Sequence, residues 1–325
     1  MSRPEPTKSD QPVLAVLGPT AVGKTQIAVE LALSLAGTSD GPAAEIISAD
    51  AFQIYRGMVV GTAAPDPAEQ RGVPHHLLGA WSIGQRATAV AYRQRARVLV
   101  EQIRARGRTP MLVGGSGLYV AATLDELAFP GTDPTVRAHW EAELARLGPQ
   151  RLHAVLAERD PAAAAAIEPM NGRRLVRALE VVELTGSFTA TLPDPMPEYT
   201  PAVRVGLWAT PEVLDRRIEH RVSRMWEQGL VEEVRGLKAQ GLASAPTAGK
   251  AIGYAEVLDL LEGRSTVDEA KALVAQHTRQ LARRQLRWFR RDRRIQWVEV
   301  PEQADAEEIA ASIQRLVEDC AGRVE

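Results

Sequence analysis

Apolar residues along this chain follow two rhythms. Five short runs are apolar at most positions: Val13–Leu17, Glu45–Ala49, Thr109–Val113, Val203–Trp208 and Ile295–Val300. Near-continuous runs of that length suit strands covered on both faces of a parallel sheet. Between them the spacing becomes helical. Ile27, Leu31 and Leu35 line one face of Gln26–Ala36, which Gly37 should stop. Ala87–Arg106 reads as a second helix ending at Gly107, and Thr266 with Glu269 forms a capping box that opens a third, long one. Strands alternating with helices predict an α/β fold built on a doubly wound parallel sheet.

One region breaks this alternation. From about Pro130 to Pro201 the chain is rich in Ala and Arg and carries no strand pattern. Its ends, FPGTDP and LPDPMPEYTP, read as loops, and the alanine run Ala162–Ala166 reads as helix. The expected organisation is therefore a leader at 1–11, a core at 12–130 and 202–325, and a helical insertion at 131–201. The leader, MSRPEPTKSDQP, is polar and Pro-rich with no apolar segment, so it is expected to be disordered.

Composition narrows the class. The chain has 325 residues, 45% hydrophobic and 25% charged, an ordinary globular balance. A net charge of -2 gives no bulk signal for a polyanionic partner. The single cysteine, Cys320, excludes an intramolecular disulfide and fits a reducing cytosol. No apolar stretch approaches the roughly 18 residues of a membrane span. A cytoplasmic protein with no membrane partner is expected.

Chemistry enters at the end of the first strand. Gly18, Pro19, Thr20, Ala21, Val22, Gly23, Lys24 and Thr25 match G-x4-G-K-[ST] in full, with a strand before and a helix after. The glycines let backbone N–H groups turn toward phosphate oxygens, and the helix N-terminus adds its positive dipole end. Lys24 supplies a point charge, and the Thr25 hydroxyl suits Mg²⁺. Such a P-loop serves ATPases, GTPases, small-molecule kinases and transferases alike.

Asp50 follows the second strand directly. In an open α/β sheet it shares the carboxyl edge with the P-loop, where it could hold a metal, accept a proton, or merely cap a helix. Gly114-Gly115-Ser116-Gly117 ends the third strand on that edge and would present the Ser116 hydroxyl to a ligand.

Arginines suggest an RNA-like partner. Eight lie between Arg279 and Arg294. At 100° per residue Arg279, Arg283, Arg287, Arg290 and Arg294 fall within about 80°, with Ala270, Val274, Leu281 and Trp288 expected buried roughly opposite. Arg173, Arg174 and Arg177 start a helix, where they oppose its dipole, so binding is more plausible than local stabilisation. Arg137, after Asp133-Pro134, raises the same question. Arg217 and Arg221, at i and i+4, are better read from spacing alone as a surface salt-bridge face. His75-His76 reads as a packing or hydrogen-bonding pair and not as a metal site.

Together these segments resemble one family, the bacterial tRNA dimethylallyltransferases, also called tRNA isopentenyltransferases. The resemblance rests on LGPTAVGKT (17–25), ISADAFQIYRGM (47–58), GT (61–62), PHHLL (74–78) and LVGGSGLY (112–119). It continues through DPTVR (133–137), RRLVRALEV (173–181), RIEHRV (217–222), AIGY (251–254) and HTRQLARRQLRWFR (277–290). They occur in the family's order and span roughly residues 12 to 300.

The resemblance implies a P-loop NTPase-like core and transfer of a dimethylallyl group from its diphosphate to N6 of adenosine 37, beside the anticodon. It implies Asp50 as general base, Ser116 as a hydroxyl near the reacting groups, and Arg221 on the diphosphate held by residues 18–25, with Mg²⁺ at Thr25. It implies contacts with the tRNA anticodon stem-loop from Asp50, Ala51, Phe52 and Gln53, from Arg137, and from Arg173, Arg174, Leu175, Val176 and Arg177. Lys250, Ala251, Ile252, Gly253, Tyr254 and Ala255 match a further tRNA-contacting segment. The partners implied are tRNA and dimethylallyl diphosphate, acting on a monomer. The chain departs from the family at Ala51, commonly serine, and at Val59-Val60-Gly61-Thr62-Ala63-Ala64, where D-I-G-T-A-K is frequent. Lys250 and Ala255 are also not the commonest residues in their motif. A small-molecule kinase using ATP remains the alternative, since it shares the P-loop and an acidic residue.

Overall fold

The computed structural model describes residues 11–35, 42–189 and 196–322. Most of the expected leader, 1–10, lies outside them, as does the expected helix stop Gly37. Gln11 is described: its amide donates to Thr109 Oγ1 at 2.7 Å, and its carbonyl accepts from Arg104 Nε at 2.9 Å.

Along the chain the elements are β1 (Val13–Leu17), α1 (Lys24–Ser34), β2 (Ala44–Ser48), α2 (Pro67–Gln70), β3 (His75–His76), α3 (Ala89–Ala105), β4 (Thr109–Gly114) and α4 (Gly117–Leu124). Four helices follow: α5 (Pro134–Leu147), α6 (Pro149–Arg159), α7 (Pro161–Ala165) and α8 (Gly172–Thr185). The sheet resumes with β5 (Ala202–Trp208) and then α9 (Pro211–Glu227), α10 (Leu230–Ala239), α11 (Tyr254–Leu261), α12 (Val267–Phe289), β6 (Gln296–Glu299) and α13 (Ala306–Gly322).

The six strands form one parallel sheet in the order β3-β2-β4-β1-β5-β6. Val13, Ala15 and Leu17 join one buried cluster with Ile47, Leu112 and Tyr92. Leu14 and Val16 join another with Ile46, Met111 and Leu31 of α1. Both faces of β1 are therefore buried, which explains its unbroken apolar run. The two-residue edge strand β3 was not predicted, because its histidines carry no apolar pattern. His75 Nδ1 lies 2.8 Å from the Val73 carbonyl, and His76 Nε2 lies 2.6 Å from Glu45.

The chain divides into two compact units, one running to Asp125 and resuming at Glu198, the other Glu126–Pro197. The second packs Trp140 of α5, Leu152 and Leu156 of α6, and Leu175 and Val176 of α8. Its helix starts follow local chemistry: Asp133 Oδ1 accepts from Thr135 N and Val136 N at 2.7 and 3.0 Å.

Helix α12 begins at the expected capping box, with the Glu269 carboxylate accepting from Thr266 N at 2.8 Å. Two expectations for it need correction. Trp288 is 37% exposed instead of buried. The stripe also fragments. Arg279 donates to Glu219 at 2.7 Å, Arg283 lies 3.9 Å from Asp215, and Arg294 falls beyond the helix. Arg294 Nη1 instead donates to Asp125 Oδ1 at 2.8 Å, alongside Arg204 Nη2 at 2.9 Å. Asp125 and Arg204 are 2% exposed each. Burial raises the Asp125 pKa, and the two arginines oppose that shift without cancelling it. Removing Asp125 leaves buried Arg204 with only the more exposed Glu198 and, at 3.8 Å, Asp292 as carboxylate partners among the described residues. Asp125→Ala should therefore lower stability by roughly 1–3 kcal/mol, read as a lower urea midpoint. An unchanged midpoint would mean that Glu198 and Asp292 suffice for Arg204.

Candidate active site

The P-loop turns away from β1 through backbone conformations that L-residues rarely adopt. Gly18 has φ 151° and Gly23 φ 98°. Ala21, at φ 64°, holds a left-handed conformation without glycine's freedom, at a cost of about 1–2 kcal/mol. The amides of Ala21, Val22 and Gly23 have no hydrogen-bond acceptor among the described residues. They are donors of the kind that cradles phosphate oxygens. Lys24 Nζ donates to the Pro19 carbonyl at 2.7 Å. Burial lowers the Lys24 pKa to about 8, even though the Asp50 charge pulls the other way.

Sheet register brings the neighbours level. Leu17 pairs with Gly114, and Ser48 with Val113, so the ends of β1, β2 and β4 open on one edge. They line a cavity of about 1030 Å³ with Lys24, Thr25, Asp50 and Arg221 in its walls. Asp50 Oδ1 accepts from Phe52 N at 2.8 Å and Gln53 N at 3.2 Å. The capping reading thus holds for one carboxylate oxygen. Oδ2 has no hydrogen-bond partner among the described residues.

Arg217 and Arg221 correct the reading as a surface salt-bridge face. Arg221 Nη1 donates to Thr20 Oγ1 at 3.1 Å and Nη2 to the Thr62 carbonyl at 3.0 Å. Its Nε is buried with no partner. Burial lowers its pKa, with Asp50 opposing. Arg217 Nη1 reaches the Val22 carbonyl at 3.4 Å and Nη2 the Pro301 carbonyl at 2.7 Å. Both arginines brace the P-loop.

The hydrogen bonds close into a ring around the cavity. Gln53 Nε2 donates to the Thr62 carbonyl at 3.3 Å, which Arg221 also contacts. Arg221 holds Thr20, whose N–H donates to Gln285 Oε1 at 2.8 Å. Gln285 Nε2 donates to the Gly115 carbonyl at 3.0 Å, and Ser116 N donates back to Ala49, beside Asp50, at 3.0 Å. Ser116 caps α4 without a side-chain bond and lies outside the cavity lining, which reaches Gly114.

Glu233 of α10 was not foreseen. Its carboxylate accepts from Val59 N at 3.0 Å, Val60 N at 2.8 Å, Gly61 N at 3.3 Å and Tyr254 Oη at 2.6 Å. It clamps the loop that presents Thr62 to Arg221. Tyr254 and Gly253 are buried, Ala251 and Ile252 line the cavity, Lys250 is exposed and Ala255 is half-buried.

The other predicted contact residues separate into groups. Ala51 and Phe52 are half-buried at the end of β2, and Gln53 is committed to Ser48 and the loop. Leu175 and Val176 are core residues whose side chains face inward, which corrects their expected contact with an outside partner. Arg137 and Arg177 hold the buried Glu180, at 3.2 and 2.8 Å. Burial opposes the Glu180 charge, but hydrogen bonds from Arg177 and Thr132, with the arginine charges, hold its pKa below the usual value. Arg173 and Arg174 remain exposed.

Comparison with known proteins places this geometry. A family model described as IPP transferase matches residues 53–292. The chain belongs to the IPP transferase family. A protein of Kineococcus radiotolerans named tRNA dimethylallyltransferase is 54% identical over 307 residues, covering 94% of this chain and 96% of that one. One of the same name from Thermobifida fusca is 57% identical over 287 residues, covering 88% and 89%. The crystal structure of a tRNA isopentenylpyrophosphate transferase from Bacillus halodurans superposes with a TM-score of 0.70 at 37% identity, covering 95% and 96%. The fold is also that of a eukaryotic dimethylallyltransferase acting on tRNA, with a TM-score of 0.74 at 22% identity, covering 94% and 78%.

Protonated Lys24 attracts an anion and neutral Lys24 does not. Inorganic diphosphate should therefore bind progressively less tightly as pH rises through about 8. Titration calorimetry of parent and Lys24→Met isolates this step, since the ligand's own ionisation is common to both. Parallel pH curves would remove Lys24 from diphosphate binding.

Proposed function

We propose that this protein transfers a dimethylallyl group from dimethylallyl diphosphate to N6 of adenosine 37, next to the anticodon of tRNA, and releases diphosphate. The observation that carries this reading is Asp50 Oδ2 in the same cavity as Arg221 and the P-loop amides, oxygen and amides alike without a hydrogen-bond partner among the described residues.

The adenine N6 lone pair is delocalised into the ring, so the amine is a weak nucleophile. As it bonds to the allylic C1, the C1–O bond breaks and the electron pair leaves with diphosphate. The growing negative charge falls on the amides of Ala21 to Gly23, on Lys24 and on Arg221. Asp50 Oδ2 takes the N6 proton as the new C–N bond forms, while Oδ1 stays anchored in its turn. Ser116 lies outside the cavity lining but two residues beyond Gly114, which is part of it, and we assign its hydroxyl a supporting hydrogen bond to the reacting groups. The base must leave its stack to reach the cavity.

The Thr25 hydroxyl is a hard oxygen donor of the type Mg²⁺ accepts beside phosphate oxygens. Bound at Thr25, Mg²⁺ would add charge neutralisation on the diphosphate. The tRNA phosphates are assigned to exposed Arg283, Arg284, Arg287, Arg290 and Arg291, with Arg173, Arg174 and Lys250. Asp50 through Gln53 and Ala251 through Ala255 are assigned to the anticodon-loop side. No described helix is long and apolar enough to cross a membrane. A tRNA substrate assigns the protein to the cytoplasm, and we assign it as a monomer. A small-molecule kinase is not favoured, since the relatives are named as transferases acting on tRNA.

Incubating the protein with labelled dimethylallyl diphosphate, Mg²⁺ and unmodified tRNA should put label into tRNA. The signal should vanish when adenosine 37 is replaced. Asp50→Asn should lower turnover by about 10²–10⁴-fold while tRNA binding, followed by filter retention, stays near the parent. Turnover within tenfold of the parent would end the base assignment.

A further inference from the structure

We infer that Gln285 is a positioning residue for this transfer, setting the leaving-group site against the side of the cavity that carries Asp50. The inference rests on the transfer reaction proposed above. Gln285 projects from α12, 265 residues from Thr20 in sequence, and lines the cavity. Its carboxamide spans two backbone groups of opposite character. Oε1 accepts the Thr20 N–H at 2.8 Å and Nε2 donates to the Gly115 carbonyl at 3.0 Å. The approach is close: a Cβ added to Gly115 would lie 2.3 Å from Nε2.

Two consequences follow from this bridge. Thr20 N–H is one of the loop amides that could otherwise meet phosphate, and Gln285 takes it. The diphosphate is then left to the amides of Ala21, Val22 and Gly23, deeper toward Lys24 and Arg221. The far end of the bridge fixes Gly115, whose neighbour Ser116 hydrogen-bonds Ala49 and so the strand end bearing Asp50. Gln285 thereby couples the position of the departing oxygen to the position of the base. A displacement of about 1 Å between reacting groups lowers rates by about 10²-fold.

Only a side chain with a donor at one end and an acceptor at the other meets both demands. Leucine offers neither. An ionised glutamate offers two acceptors and repels the Gly115 carbonyl, whereas a protonated one restores the donor and copies glutamine.

The test is single-turnover transfer of labelled dimethylallyl groups to tRNA, with KM measured for each substrate. Gln285→Leu should lose about 10–100-fold in transfer rate, with both KM values within threefold of the parent. Gln285→Glu, ionised throughout pH 6–8 at an ordinary glutamate pKa of about 4.3, should lose as much, because its carboxylate repels the Gly115 carbonyl. A loss that appears in KM or in the folded fraction and not in the transfer rate marks a purely structural role and overturns the inference. So does a Gln285→Leu rate within threefold of the parent. Should the leucine variant fail to fold, the rate and KM values of Gln285→Glu decide alone. A parent protein that labels no tRNA sinks the proposed reaction, whereas an active parent with indifferent variants sinks only the role of Gln285.

Discussion

The site depends on the register of three parallel strands. Leu17 beside Gly114 and Ser48 beside Val113 bring the ends of β1, β4 and β2 to one level. A shift of one residue would turn every side chain of a strand to the other face and bury the wrong set. The apolar residues on both faces of β1 therefore fix more than stability. They fix where the P-loop begins, where Asp50 emerges and where the glycine turn bends. A cavity closed by a ring of hydrogen bonds follows from that alignment.

Charge is arranged there with unusual tension. Lys24 and Arg221 both feel burial pulling them toward neutrality, and Asp50 is the charge that opposes it. In the proposed transfer, an arriving diphosphate would give the two cations the anionic partner that offsets their burial.

Much of this was legible in the sequence, and the limits have physical causes. Five strands, the P-loop, Asp50 and the capping box of α12 showed themselves because each has a local signature. β3 did not, since two histidines paired to an edge have no periodicity. Arg137 looked like a binding residue because its partner, Glu180, is supplied by tertiary packing, whereas Arg177 meets the same Glu180 as an i, i+3 neighbour on α8, a pairing that the spacing did offer. Arg217 and Arg221 looked like a salt-bridge face for the same reason as Arg137: their partners are backbone carbonyls and the Thr20 hydroxyl, all from distant loops. Trp288 stays partly exposed with its indole against Gly117 at the start of α4, a contact that helical periodicity does not encode. Gln285 lay inside a recognised motif, yet its role needed Thr20 and Gly115 in view.

The clamp by Glu233 reaches beyond geometry. It grips Val59, Val60 and Gly61 by their backbone N–H groups, which every residue except proline possesses. The loop's position is consequently written largely in α10, with the Thr62 hydroxyl adding bonds to the Met58 and Val59 carbonyls. Positions such as Val59, Val60 and Ala64 are thereby released to vary with whatever lies across from them. The loop can drift through sequence space, retuning its outer surface, while the carbonyl it offers Arg221 stays where it is.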